Sequence, residues 1–318
     1  MRDGTLGVIV FKKRMLQRAI RKDFVPMMLL GILMLCITWG ARIIGVHGNG
    51  SNAILPENAQ AAHTPLNTSR PNPDIKVVAH RGVRMKAPEN TLPAIRLAIE
   101  MGYSFVEIDV RYTKDRVPVL LHDDKIDRTT NGKGPLKDYT LEEIQKLDAG
   151  SWFNPDFAGT RIPTLEQALT EMQGKIGLYL DQKEEPDAAT IALLRKYGFF
   201  PSDTVINGHC AAFRALAQDA PVMPGARTVE QVIKAIEEFP NPAALNTNCV
   251  NLTQDMVDQA HARGVRIFCN TLEAAWPSEE EKAMKNAVRL GADALQTDRP
   301  DIFFPLIKKL KAKAAAAN

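Results

Sequence analysis

From residue 75 onward, apolar positions alternate between two spacings. Short runs rich in Val, Ile, Leu and Tyr, at 75–80, 104–110, 176–183, 204–207, 221–224, 245–251, 265–269 and 293–297, read as strands. Between them, stretches at 91–101, 164–172, 188–197, 229–238, 254–263 and 280–290 place apolar residues three to four apart and read as amphipathic helices. Eight strand-helix units in succession predict an α/β fold, a closed (β/α)8 TIM barrel. An open doubly wound sheet is the alternative, but no Gly-rich phosphate loop follows the first strand.

One connection breaks the alternation. Only Arg111 to Arg116 separate Val110 from Val117, too few residues for a helical crossover. The spacing predicts an antiparallel hairpin that folds 117–122 back along 104–110 and brings His122 toward Glu107 and Asp109. An insertion at about 123–161 then follows the second strand, with a turn-rich start at Thr130 to Pro135 and a short helix at 140–147.

The N-terminal region has a different pattern. Lys12, Lys13, Arg14, Arg18, Arg21 and Lys22 precede an apolar run from Phe24 to Gly40, which residues 43–46 extend. Its length falls in the roughly 17–25 residues of a spanning helix and exceeds the usual apolar core of a cleaved signal peptide. The sequence therefore predicts a basic cytoplasmic N-terminus at 1–23, one transmembrane anchor at 24–46 and a flexible linker at 47–74. The barrel domain would occupy 75–312, on the periplasmic or extracellular side, with a short tail at 313–318.

Composition adds little beyond this. Lys and Arg number 40 against 37 Asp and Glu, and much of the excess lies before residue 23, so the domain lacks the basic balance of a nucleic-acid binder. The four cysteines, Cys36, Cys210, Cys249 and Cys269, form no C-x-x-C pair and suggest neither a zinc site nor a disulfide framework.

Barrel enzymes carry reactive groups at the C-terminal ends of their strands. Here those ends read His80-Arg81-Gly82, Glu107-Ile108-Asp109, Asp181-Gln182-Lys183 and Thr297-Asp298, with His122-Asp123 closing the hairpin. Glu107 and Asp109 are two apart on a strand and share a face. Such a pair repels unless a cation sits between, and oxygen ligands favour Mg²⁺ or Ca²⁺; Asp181 would be a third ligand. The competing reading pairs these acids with Arg81 and Lys183 as a salt network. His80 and His122 suit general acid and base work, and Arg81 and Lys183 suit a phosphate. Glu89 and Asn90 open the first helix; they either start that helix or orient a ligand or base through a hydrogen bond.

These segments resemble the glycerophosphodiester phosphodiesterase family. The match runs through Ala79-His80-Arg81-Gly82, Pro88-Glu89-Asn90-Thr91, Val106 to Val110, Pro118 to Asp123, Arg128 to Gly134, Ile162 to Leu165, and Gly291 to Pro300. The resemblance implies a barrel with the insertion, a divalent cation, and cleavage of glycerophosphodiesters to sn-glycerol 3-phosphate and an alcohol. By position, His80 and His122 match the acid/base pair. Glu107, Asp109 and Asp181 match the metal ligands, and Arg81 and Lys183 match the phosphate-binding residues. Two departures stand out. The family usually has Glu at the position of Asp181, and often has Trp-Thr where this chain reads Phe268-Cys269-Asn270-Thr271. Lipid-chain cleavage, as in lysophospholipase D or sphingomyelinase D relatives, and a non-catalytic phosphodiester-binding barrel are the rival readings.

Overall fold

The computed structural model describes residues 72, 74–272 and 277–316. The anchor expected at 24–46 lies outside the described residues. Among the described residues no helix is long and apolar enough to cross a membrane.

The elements follow the predicted alternation. β1 (Lys76–Ala79) leads to α1 (Leu92–Glu100), then to β2 (Phe105–Tyr112) and the short β3 (Pro118–Leu120). α2 (Leu141–Ile144) lies within the insertion, and α3 (Leu165–Met172) returns the chain to the barrel. β4 (Gly177–Gln182), α4 (Ala188–Lys196), β5 (Thr204–Asn207), α5 (Cys210–Leu216) and α6 (Val229–Glu238) follow. β6 (Leu245–Asn248), α7 (Gln254–His261), β7 (Ile267–Asn270), α8 (Pro277–Leu290), β8 (Ala294–Thr297) and α9 (Pro300–Ala316) complete the order.

Seven strands are hydrogen-bonded in the order β5-β4-β2-β1-β8-β7-β6, every neighbour parallel. The gap between β5 and β6 is bridged by residues 221–225. Ile206 pairs with Val222 and Gly225 with Asn246, both parallel. The segment at 221–224 thus takes the place expected of it, as isolated bridges rather than a full strand, because prolines at both ends remove donors from the ladder. The result is a nearly closed parallel barrel of the TIM type.

β3 pairs antiparallel with β2, Val110 opposite Leu120 and Tyr112 opposite Pro118, as the short connection required. Two helices were not anticipated. α5 is a single short stretch entered through His209 in a left-handed conformation, with no side-chain cap. α9 contains Pro305, which breaks the sequence signal although the helix continues.

Two-residue periodicity along the strands sorts the interior by height. Val78, Phe105, Tyr179, Val205, Met223, Ala244, Phe268 and Ala294 form one buried apolar cluster in the lower part of the barrel. Residues of the same parity one or two steps further along each strand are His80, Glu107, Asp109, Asp181, Asn207, Asn246, Asn270, Gln296 and Asp298. The opposite parity, including Val77, Ala79, Val106, Ile108, Val110, Leu178 and Leu180, packs against the helices in the main core. Each fully buried large apolar side chain contributes about 1.5–3 kcal/mol. The apolar plug therefore supports a polar mouth at the C-terminal end.

Candidate active site

The β1–α1 loop is shaped by backbone conformations that most residues avoid. Arg81, Gly82 and Asn90 have φ of 55°, 77° and 55°. A Cβ on Gly82 would lie 2.6 Å from the Ala94 Cβ, so the loop lies directly on α1. This folding aims the Arg81 N–H at Glu107 Oε2, 2.7 Å away. It also places Asn90 against Asp109: Asn90 Nδ2 donates to Asp109 Oδ2 at 2.7 Å and Asn90 Oδ1 accepts from the Asp109 N–H at 3.1 Å. Helix α1 itself starts from Thr91, with no side-chain cap. Of the two readings of Asn90, orientation of a carboxylate is the one its contacts support.

Glu107, Asp109 and Asp181 each bring one carboxylate oxygen to a common point, all within 4.8 Å of one another. Asp109 and Asp181 are register partners across β2 and β4. Lys183 Nζ lies 2.8 Å from Asp109 Oδ1 and 2.6 Å from Asp181 Oδ2. Arg81 Nη1 pairs with Glu89 at 3.0 Å, and Arg81 Nε with Asp109 at 3.3 Å. The salt-network reading is thus realised for Asp109 and Asp181. It does not extend to Glu107, which is 2 % exposed and has no basic side chain paired to it among the described residues.

The electrostatics separate these acids. Burial, then the negative charges of Asp109 and Asp181, push the Glu107 carboxyl well above the ordinary range. Burial acts the same way on Asp109, but Lys183 and Arg81 outweigh it and hold that carboxyl below its usual value. Asp109 Oδ1 is buried and, although close to Lys183 Nζ, receives no aligned hydrogen bond. Three convergent oxygens, one carboxylate lacking a basic partner and one oxygen lacking an aligned donor fit a hard divalent cation. Glu107, Asp109 and Asp181 are the residues that could hold it.

Two histidines border this cluster. His80, 6 % exposed, follows β1 and stands 3.1 Å through Nδ1 from Asp298 Oδ1. Burial lowers the His80 pKa, partly offset by Asp298. Asp298 resists burial and is lowered to about 2 by His80 and Arg84; Arg84 holds it with a second pair of N–H donors, Nε at 2.7 Å. His122, at the end of the hairpin, stands 2.7 Å through Nδ1 from Asp123 Oδ1. Arg128 of the insertion links this pair to the loop: it donates to Asp123 at 2.7 Å and to both oxygens of Glu89 at 2.9 and 2.8 Å. Glu89 in turn accepts from Arg81. A continuous chain of hydrogen bonds and ion pairs therefore runs from His122 through Asp123, Arg128, Glu89 and Arg81 to Asp109.

All nine residues singled out in the sequence meet at this mouth. Six participants have no role in the sequence reading: Arg84, Asp123, Arg128, Asn207, Asn246 and Asp298. Arg128 sat within a matched motif. The two asparagines carried no motif, and their signal was only strand parity.

The barrel, its mouth of acids, histidines and basic side chains, and the inserted hairpin define a phosphodiesterase of the barrel type. Comparison with known proteins agrees. The profile of the glycerophosphoryl diester phosphodiesterase family matches residues 80–199. YhdW of Bacillus subtilis, provisionally named a glycerophosphodiester phosphodiesterase, is 37% identical over 238 residues, spanning 71% of this chain and 95% of its own. A glycerophosphodiester phosphodiesterase of Caldanaerobacter subterraneus is 32% identical over 249 residues, spanning 73% and 98%. An Oleispira antarctica phosphodiesterase, solved in complex with the product sn-glycerol-3-phosphate, superposes with a TM-score of 0.64 at 28% identity, covering 73% of this chain and 96% of that one. The chain belongs to the glycerophosphoryl diester phosphodiesterase family and is an enzyme of that class.

Proposed function

We propose that the enzyme hydrolyses glycerophosphodiesters to sn-glycerol 3-phosphate and an alcohol, with a divalent cation, Mg²⁺ or Ca²⁺, held by Glu107, Asp109 and Asp181. The observation that carries this reading is the buried Glu107 carboxylate, turned toward two others and unmatched by a basic side chain among the described residues. When bound, such a cation would neutralise charge on the phosphoryl oxygens. Arg81 and Lys183 would bind the remaining oxygens, Arg81 through its planar fork. Neutral His80, with Nδ1–H donated to the ionised Asp298, leaves Nε2 as the atom that exchanges a proton. His122, tied through Nδ1 to Asp123, offers its Nε2 likewise. In the proposed reaction one ring removes the proton of the attacking oxygen. The other, entering with a proton on its own Nε2, gives that proton to the departing alcohol as the phosphorus–oxygen bond breaks.

The test is an assay of the chelator-stripped protein on glycerophosphocholine and, separately, lysophosphatidylcholine, before and after Mg²⁺ or Ca²⁺ is restored. Release of sn-glycerol 3-phosphate from the first substrate, dependent on added cation, is the expected result. Full turnover in chelator would overturn the metal assignment, and turnover of lysophosphatidylcholine alone would overturn the substrate. We further propose that the N-terminal segment anchors the domain outside the cytoplasm. Protease accessibility of the barrel in intact spheroplasts tests this, and protection would refute it.

A further inference from the structure

Asp181 is one methylene shorter than the glutamate that the family resemblance leads one to expect, and its surroundings are built for the shorter side chain. On one side Asp181 pairs in register with Asp109, on the other with Asn207 of β5. Asn207 Nδ2 donates to Asp181 Oδ1 at 3.1 Å. The orientation of that amide is itself set, because Asn246 Nδ2 donates to Asn207 Oδ1 at 3.1 Å. With its oxygen engaged by Asn246, Asn207 presents its NH₂ to the carboxylate. Asn246 is held by its backbone: its N–H donates to Pro224 O at 2.9 Å, and its carbonyl accepts from the Ala226 N–H and from Arg227, both at 2.8 Å.

The chain around Asn207 is equally constrained. Gly208 follows it with φ +75°, and a Cβ there would come within 2.3 Å of the Gln182 carbonyl oxygen. The start of the β5–α5 connection thus lies against the end of β4, which keeps Asn207 within reach of Asp181. The second oxygen, Asp181 Oδ2, accepts from Lys183 Nζ at 2.6 Å, and one oxygen of this carboxylate belongs to the cluster with Glu107 and Asp109.

We propose that Asn207, backed by Asn246, is a positioning residue: it fixes the rotation of Asp181 toward the cation, and this amide pair is what lets aspartate serve where glutamate is usual. The inference rests on the metal reading above, and toward the cation Asn207 acts only through Asp181. Outer partners of metal ligands commonly change affinity by about 10–100-fold when removed. A longer carboxylate would need no such tether and would be driven against the Asn207 amide.

The experiment measures cation affinity directly, by calorimetric titration of Mg²⁺ and Ca²⁺ into the chelator-stripped full chain in detergent. The proteins are wild type, Asn207→Ala, Asn246→Ala, Asp181→Glu, the double variant Asn207→Ala/Asp181→Glu, and Glu107→Gln. Asn207→Ala is expected to weaken Kd about tenfold, and Asn246→Ala, which frees the Asn207 amide to rotate, by less. Asp181→Glu alone also weakens binding. The double variant returns to within about threefold of wild type, a non-additivity that a merely structural role of Asn207 would not produce. A wild-type Kd in Asn207→Ala, or losses in the double variant that simply add, overturns the tether. If Glu107→Gln has by then lost binding, the metal site stands and only the tether falls. A wild-type chain that takes up neither ion overturns both.

Discussion

His80 and Asp298, 218 residues apart in the chain, meet at 3.1 Å where β1 and β8 lie side by side. Asp298 is lowered to about 2 and is ionised at any working pH. It therefore accepts from Nδ1–H and holds His80 in the tautomer with Nε2 free. Burial lowers the His80 pKa while Asp298 raises it. The sign of the prediction follows. If loss of the neutral ring sets the acid limb of kcat/KM, that limb lies below the ordinary histidine value of about 6.5. Asp298→Asn removes the raising influence and moves the limb further down, while the rate at pH 7 falls by about tenfold or more as the tautomer is released. A limb that moved upward in Asp298→Asn would contradict the assignment.

The three carboxylates predict an opposition between stability and cation binding. In chelator, Glu107 repels Asp109 and Asp181 at close range from a buried position. Glu107→Gln relieves that repulsion and should raise the melting temperature of the cation-free protein at pH 7.5 by about 2–4 °C per kcal/mol gained. The same change should abolish the stabilisation of wild type by added Mg²⁺ or Ca²⁺. Differential scanning calorimetry with and without chelator reads both effects. A cation-dependent rise that survives in Glu107→Gln would remove Glu107 from the site.

Much of this site could be read from residue order, and the reason is periodicity. Glu107 and Asp109 are two apart on a strand, so their common inward face follows from β geometry alone, as the placement of Ile108 in the outer core confirms. The six-residue connection after Val110 required a hairpin, and β3 delivers His122 beside the mouth. What escaped reading depends on long-range docking. Arg128 reaches Glu89 across 39 positions only because the insertion folds onto the β1–α1 loop. Asn207 and Asn246 look like ordinary polar strand residues until the barrel closes and sets them side by side. Arg84 gave no sign of its partner, 214 residues away. Residue spacing describes what one element presents, and neighbours across the barrel come from closure.

Arg128 joins two acids that belong to different parts of the mouth, Glu89 on the β1–α1 loop and Asp123 beside His122. Hydrogen bonds from Arg128 come first among the causes that depress Asp123, with His122 adding to them against a partial desolvation cost. Arg128→Lys keeps a charge but gives up the planar fork that spans both carboxylates. We expect kcat to fall about tenfold while substrate KM changes little, because His122 loses its fixed partner and not its place. Arg128→Ala should be worse in kcat and should also loosen the insertion, measurable as faster amide exchange across residues 123–135. Unchanged kcat in Arg128→Lys would mean that the fork serves only to hold the insertion down.

Gly208 gives a steric prediction at the site itself. Its φ of +75° lies in the left-handed region, and a Cβ there would stand 2.3 Å from the Gln182 carbonyl oxygen and 3.6 Å from Asp181 Oδ1. The first conflict is with backbone, which cannot rotate aside as a side chain can. Gly208→Ala must therefore push β5 away from the end of β4 or shift the peptide at Gln182, and either movement carries Asn207 off Asp181. A strained backbone position costs about 1–3 kcal/mol by itself, and a collision with main chain adds to it. Gly102 has a similar φ of +74°, but a Cβ there would meet no atom within 4 Å, so Gly102→Ala isolates the conformational part. We expect both variants to lose stability in denaturant titration, Gly208→Ala the more, and Gly208→Ala alone to lose cation affinity. Equal losses in the two, with cation affinity intact, would show that the approach of β5 to β4 has slack and does not set the position of Asp181.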